Sequence, residues 1–201
     1  MELAEAVRQI ADIRRGMARA EVYRGYKSAT VGVSGVLGLL AAAVQPRYVP
    51  SPGEDLGRYL NLWVGVAAVG LAGAAVGMTR GAVAGLARQK ALLAAEQFLP
   101  CVVVGALLTA CIARGAPEVA WMLPGLWGLV FGLGVFASRR LLPGPMAWVG
   151  AYYVACGGAC LAWGRGPSAF APWQMALTFG GGQLLGAAIL YWTLERDDAA
   201  R

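Results

Sequence analysis

The sequence predicts an all-α fold: a polytopic bundle of six transmembrane helices preceded by an amphipathic N-terminal helix. Of the 201 residues, 58% are hydrophobic and only 14% are charged, and the mean hydropathy is +0.58. This composition is too apolar for the surface of a soluble domain. The apolar residues form runs of 18 or more, the length that a helix needs to cross a hydrocarbon core of about 30 Å.

Six apolar runs, each bounded by charge, Pro or Gly, are the predicted spans. They cover residues 28–45, 59–78, 91–113, 121–138, 145–163 and 173–194. All charged residues except Glu96 lie outside them, as expected if burying a charge in lipid costs a few kcal/mol. The chain therefore divides into a segment 1–27, one membrane domain 28–194 and a short tail 195–201.

The segment 1–27 is predicted to be an amphipathic helix rather than a signal peptide, because it is charged throughout and has no apolar core. Its apolar residues recur at helical spacing: Leu3, Val7, Ile10, Ile13 and Met17. Such a helix lies on the membrane surface with its arginines against anionic lipid. A docking helix for a cytoplasmic protein and a solvated lead-in are the alternatives.

The distribution of Lys and Arg predicts the orientation. Thirteen of the 17 basic residues lie on the side of the two termini, and four lie on the other side. Because positive loops stay in the cytoplasm, we expect both termini to be cytoplasmic, with external loops at 46–58, 114–120 and 164–172. Insertion topology also accounts for the net charge of +6, so we expect no direct binding of nucleic acid.

Glu96 is the one ionisable residue inside a predicted span, which makes it a candidate functional residue. It stands five residues from the cytoplasmic end of that span. A carboxylate there reaches the interface by snorkelling, or pairs with Lys27, Arg139 or Arg140. The first interpretation makes Glu96 an interfacial residue, and the alternative makes it part of a functional site.

The hypothesis of a functional site at Glu96 depends on two predicted helix breaks. Pro100 removes a backbone donor and frees the carbonyl of residue 96, beside Glu96 and Gln97. The run Gly180–Gly182, followed by Gln183, weakens the sixth span. Breaks at corresponding positions of two inverted halves are typical of a transporter binding site, so Glu96, Gln97 and Gln183 form the hypothetical ligand or ion site.

Glycine is abundant, with 29 residues, and small residues let membrane helices approach closely. The spacing predicts packing faces that contact a neighbouring helix or a second copy of the chain. These faces consist of Gly73, Gly77, Gly81 and Gly85 in one ladder, and of the pairs Gly128/Gly132 and Gly182/Gly186.

Composition argues against an enzyme. There is no histidine, which excludes His-bound metals, Ser/His/Asp triads and Cys/His dyads. The spans offer one carboxylate where acid/base catalysis usually needs two groups. Without histidine or a CxxC pair, the four cysteines predict no metal site and no cofactor. Cys111 and Cys160 fit either an interhelical disulfide or two buried thiols.

Two stretches carry a family resemblance: AAEQFLPCVVVGALLTA at 94–110 and WMLPGLWGLVFGLGVFASRRLLP at 121–143. They are similar to an uncharacterised family of bacterial six-span integral membrane proteins. The likeness extends to the start of the last span, where Ala171–Met175 departs from the family's SPWQM-like pattern at its first residue. It implies that the membrane is a bacterial inner membrane, but it implies no activity. Members are similar to proteins encoded beside winged-helix regulators, which implies a cytoplasmic regulatory partner.

Two functions follow from the sequence. The first is a non-enzymatic binding or regulatory membrane protein with a cytoplasmic or lipid partner. The second is a small-solute or proton-coupled ion transporter with its site at the third and sixth spans. We favour the first, because a carrier of charged substrate normally has more than one polar cluster within the membrane.

Overall fold

The computed structural model describes residues 28–80 and 86–196, which form helices and no strand. Six of the helices are long and apolar enough to cross a membrane, which confirms the predicted all-α bundle and indicates a multi-pass membrane protein. The predicted N-terminal helix at 1–27 lies outside the described residues.

Each predicted span falls on one helix. α1 is Ser28–Tyr48, α2 is Leu56–Arg80 and α3 is Leu86–Gly115. α4 begins with a 3-10 segment, Pro117–Met122, continues as an α-helix over Leu123–Ala137 and ends in a 3-10 turn, Ser138–Arg140. α5 is Met146–Trp163. α6 runs from Pro172 to Glu195 and changes twice from α-helical to π-helical turns, at Ala176–Gly181 and Tyr191–Glu195.

The ends of the helices follow local chemistry. Pro117, Pro124 and Pro172 each stand in a first turn, where the missing N–H is not needed. Pro46 stands near the end of α1, where a lost backbone bond matters least. These prolines therefore stand near the ends of helical segments, where they disturb the backbone hydrogen bonds least.

Consecutive helices run in opposite directions, so the bundle has two ends. The Ser28 end holds the start of α1, the α4–α5 connection and the end of α6. The Phe170 end holds the α1–α2 connection and the α5–α6 loop, residues 164–171. Each end has an apolar cluster: one is centred on Tyr59, Leu123 and Phe170, and the other on Tyr153 and Leu190.

α1, α4, α5 and α6 form the centre of the bundle. α5 packs most extensively on α4, and α1 packs on α6. α2 and α3 are peripheral: no residue of Glu96–Gly115 in α3 is buried, and only 11% of the apolar window of α2 is. Large apolar side chains on both helices, such as Val69 and Leu107, face outward, as they do in lipid.

Glycine explains why α4 and α5 lie so close. A Cβ added at Gly157 would stand 2.7 Å from the Gly125 carbonyl oxygen and 2.8 Å from the Leu129 nitrogen. Both are backbone atoms, which cannot move aside. One residue later, a Cβ added at Gly158 would meet nothing within 4 Å. Gly157 therefore lies in the contact with α4, and Gly158 lies outside it, so that Gly158 is a matched control for substitutions of Gly157.

We expect Gly157→Ala to lower the free energy of unfolding by about 1–3 kcal/mol, because the added methyl group separates two helix backbones. Gly158→Ala adds the same methyl group on the lipid side. There the better helix propensity of alanine leaves stability unchanged or raises it by up to about 1 kcal/mol. Titration with SDS in mixed micelles, followed by circular dichroism, measures both. Equal effects of the two substitutions would contradict the close α4–α5 contact.

Candidate functional site

Glu96 is exposed on α3 and makes no ion pair with a described residue. It stands ten residues after the first residue of α3, Leu86. Of the expected cationic partners, Arg139 and Arg140 do not pair with it, and Lys27 lies outside the described residues.

Gln97 differs from its neighbour because part of its side chain is buried. Its Oε1 has no hydrogen-bond partner and almost no exposed surface. Phe98, the next residue, packs against Gly134 and Phe131 of α4. The expected break at Pro100 is not present: α3 continues as one helix through it, as membrane helices allow when local geometry compensates for a lost bond.

Gln183 lies on α6, half-buried, with its Cβ 3.1 Å from where a Cβ of Gly35 would stand. It is also beside the ring of Tyr153, which packs on Gly182. The predicted weak point at Gly180–Gly182 does not break the helix. The π-helical turn begins earlier, at Ala176, and Tyr152 donates a 2.7 Å hydrogen bond to the Leu177 carbonyl within it.

The structure does not join these three residues into one site. α3 packs chiefly on α4, whereas Gln183 faces α1 and α5. Between the two positions lies a cluster of four aromatic rings with centroids 4.5 to 5.7 Å apart along its contacts, formed by Phe98, Phe131, Tyr153 and Phe179. Phe98, next to Gln97, and Tyr153, beside Gln183, both belong to this cluster.

The predicted glycine faces differ in their surroundings. Gly128 and Gly132 face α5 at Gly157 and Gly150, Gly182 holds the Tyr153 ring, and Gly186 lies in ordinary contact with Val31 and Val149. Gly73 points into open space, so within the described chain it packs on no helix. Gly77 lies on α2, and Gly81 and Gly85 lie outside the described residues. The ladder as a contact with a second copy remains a prediction.

The cysteines are all free thiols. Cys111 is exposed on α3, while Cys160 is buried on α5 with its Sγ 3.6 Å from the Thr178 hydroxyl. Within the described ranges, no group of three or more Cys, Asp or Glu residues is arranged to hold a metal ion.

A polar clamp at the Phe170 end, formed by Gln45, Trp63 and Phe170, is not predicted by the sequence. Gln45, 1% exposed on α1, donates from Nε2 to the Phe170 carbonyl at 2.7 Å and accepts at Oε1 from the Trp63 indole N–H at 3.1 Å. It thereby joins α1, α2 and the α5–α6 loop. Phe170 adopts a positive φ of 57°, unusual for a residue other than glycine, and its side chain is buried against Tyr59 with ring centroids 4.7 Å apart.

A second glutamine also forms a hydrogen bond to the α5–α6 loop. Gln174, 0% exposed at the start of α6, donates from Nε2 to the Ser168 carbonyl at 2.6 Å. An uncharged glutamine within an apolar run gives no signal in hydropathy, and its partner cannot be read from spacing. For this reason neither Gln45 nor Gln174 stood out in the sequence.

A second clamp closes the Ser28 end. The Glu195 carboxylate accepts two bonds from Ser28, one from the backbone N–H and one from the hydroxyl, both at 2.7 Å. The start of a helix has unpaired N–H groups and a partial positive charge, which a carboxylate neutralises. The clamp fixes the beginning of α1 to the last turn of α6.

Comparisons with known proteins found no match among protein-family models, curated proteins or solved structures. The resemblance to bacterial six-span proteins therefore stays a prediction that rests on the two stretches quoted above.

We expect Gln45→Met to lower the free energy of unfolding by about 2–4 kcal/mol. The substitution keeps the volume but leaves the Trp63 N–H and the Phe170 carbonyl without a partner. Gln97→Met is the matched control, because the Gln97 oxygen has no partner to lose. Thermal unfolding in detergent compares the two variants. A Gln45→Met protein as stable as Gln97→Met would show that the clamp does not hold the loop.

Proposed function

We propose that this protein is a non-enzymatic binding or regulatory protein of the bacterial inner membrane, with both termini in the cytoplasm, and that its Ser28 end binds anionic lipid or a cytoplasmic partner. The observation that carries the proposal is the Ser28–Glu195 clamp. Because it joins Ser28 of α1 to the last turn of α6, the first and the last described parts of the bundle lie side by side.

The described charges at the Ser28 end support an anionic partner. Arg139, Arg140 and Arg196 are exposed there, and none forms an ion pair. The carboxylate of Glu195 is occupied by Ser28. A basic membrane surface attracts anionic lipid headgroups, with about 1 kcal/mol from each basic residue.

Packing brings the chain segments that carry these arginines together. Leu142, two residues after Arg140, and Leu194, two residues before Arg196, contact the same apolar cluster. Arg196 also lies over the Trp192 ring, 4.7 Å from its centroid, and Trp192 is 60% exposed. An exposed tryptophan with a cation over its ring is typical of the headgroup level of a membrane.

The Phe170 end has fewer basic residues. It has four, Arg47, Arg58, Arg114 and Arg165, of which Arg58 is paired with Asp55 at 3.0 Å and Arg165 lies over the Trp121 ring. The described ranges place six at the Ser28 end: Arg80, Arg88, Lys90, Arg139, Arg140 and Arg196. The difference between the ends supports a cytoplasmic Ser28 end by the positive-inside rule.

Orientation is tested by one added cysteine at a time in a background where the exposed Cys111 is changed to Ala, and the background itself, which keeps Cys101, Cys156 and Cys160, is the labelling control. Gly53 at the Phe170 end and Gly144 at the Ser28 end are matched sites, because an added Cβ meets nothing within 4 Å at either. We expect an impermeant maleimide to label Gly53→Cys in intact spheroplasts and Gly144→Cys only after permeabilisation. The reverse pattern would refute the cytoplasmic assignment.

Lipid binding is tested by native mass spectrometry of protein extracted from membranes that contain phosphatidylglycerol and phosphatidylethanolamine. We expect the triple variant with Arg139, Arg140 and Arg196 changed to Gln to lose at least about fivefold of its retained phosphatidylglycerol. The matched control changes Arg47, Arg114 and Arg165 to Gln at the other end. Equal losses in the two triple variants would contradict a lipid site at the Ser28 end. If retention is unchanged, deletion of residues 1–24 shows whether the terminal segment supplies the binding.

A second candidate function is a small-solute or ion transporter, and the unpaired, buried Oε1 of Gln97 beside Glu96 favours it. A flux experiment separates this candidate from the binding or regulatory protein. In proteoliposomes, proton or solute flux that is lost in Glu96→Gln would support the transporter. Background flux in both proteins supports the binding role.

A further inference from the structure

Two buried polar atoms at the Phe170 end have no hydrogen-bond partner: Tyr59 Oη on α2 and Gln174 Oε1 on α6. Both residues are 0% exposed. A buried polar group without a partner costs about 1–3 kcal/mol, and native proteins contain few of them. These two are complementary, since the phenol is a donor and the amide oxygen is an acceptor.

The neighbouring polar groups do not serve them. Gln45 already bonds to Trp63 and Phe170, and the Gln174 amide nitrogen already bonds to Ser168. The Tyr59 phenol and the Gln174 amide oxygen are therefore left without a hydrogen-bond partner among the described residues.

Both residues contact the loop 164–171. The Tyr59 ring lies edge-on to Phe170, with ring centroids 4.7 Å apart. The Gln174 amide bonds to the Ser168 carbonyl and borders Gly164, whose added Cβ would stand 2.7 Å from Nε2. The Cys160 carbonyl accepts a bond from the Gly164 N–H at 2.7 Å, so Cys160 lies at the same end of the bundle.

Thr178 adds a further polar group to this region. It lies one helical turn after Gln174, is 0% exposed, and has only the Cys160 sulfur as its side-chain partner, at 3.6 Å. A thiol is a weak hydrogen-bonding group. The Thr178 hydroxyl therefore keeps most of its capacity to bond.

The chemistry of the surrounding groups specifies the ligand. It must accept a hydrogen bond from Tyr59 and donate one to Gln174, which a hydroxyl group does and a simple cation or anion does not. No charged side chain of the described chain is buried, so an ionic ligand has no counter-charge. Buried waters normally make about three hydrogen bonds to such groups.

We propose that a water molecule binds beneath the loop 164–171, bridges Tyr59 Oη and Gln174 Oε1, and is completed by the Thr178 hydroxyl. The site lies close to the membrane surface, because Tyr59 is three residues from the start of α2. The bound water links α2 to α6, two helices that the Gln45 clamp joins only through the loop.

The sign of one substitution tests the proposal. If Tyr59 bonds to a bound water, Tyr59→Phe removes a hydrogen bond, and we expect the Tm of the detergent-solubilised protein to fall by about 2–6 °C. If the hydroxyl is buried and dry, the same substitution removes an unsatisfied group and the Tm rises or stays constant. Tyr48→Phe, at a residue that is 49% exposed, controls for the loss of a hydroxyl as such.

Bridging is tested by a double-mutant cycle with Gln174→Met, which keeps the side-chain length. Because both side chains bind one water, we expect the double variant to lose clearly less Tm than the two single variants together. Additive losses would overturn the bridge.

Hydroxyl-radical footprinting in nanodiscs detects the water directly. We expect oxidation of Tyr59 in the wild type and several-fold less in Gln174→Met. A fall in Tm for Tyr59→Phe without oxidation of Tyr59 in the wild type would also refute the proposal, because the phenol would then bond to protein alone.

Discussion

Close contact between helix backbones at glycine is the constraint on which the rest of the bundle depends. Lipid chains are as apolar as leucine, so burial of apolar surface does not by itself drive membrane helices together. Packing must do so, and packing is best where a missing side chain lets backbones meet. Gly125, Gly128 and Gly157 provide this between α4 and α5, and Gly38 and Gly180 provide it between α1 and α6.

The centre and the periphery of the bundle follow from this constraint. α1, α4, α5 and α6 have glycines that face one another. On α2 and α3, by contrast, Gly65, Gly73 and Gly105 face open space, and the two helices bury little. An apolar sequence is enough to place α2 and α3 in a membrane, but in the described bundle only the start of α2, at Tyr59 and Trp63, is buried in a core cluster.

Much of this fold could be predicted because lipid imposes a simple rule on sequence. The six spans were found from the separation of charged and apolar residues, and each lies on one helix, since an unpaired backbone cannot cross hydrocarbon. Gly128 and Gly132 could be proposed as packing residues from their spacing. Their contact partners on α5 could not, because spacing within one helix says nothing about its neighbour.

The polar contacts were far harder to predict. Gln45 contacts a carbonyl 125 residues away, and Ser28 bonds to a carboxylate 167 residues away. Neither partner is marked by a motif. Attention to charge led instead to Glu96, which lies exposed on α3. In the described part of the chain, the buried polar side chains at the Phe170 end include uncharged glutamine, tyrosine and threonine, which are hidden in a hydropathy analysis.

The clamp between Ser28 and Glu195 has a consequence for biosynthesis. α1 is translated before α6, so Ser28 has no carboxylate partner until residue 195 has been synthesised. A nascent chain that stops before residue 195 cannot make this contact, and the joining of α1 to α6 at this end therefore depends on a side chain that the ribosome adds after the other five helices.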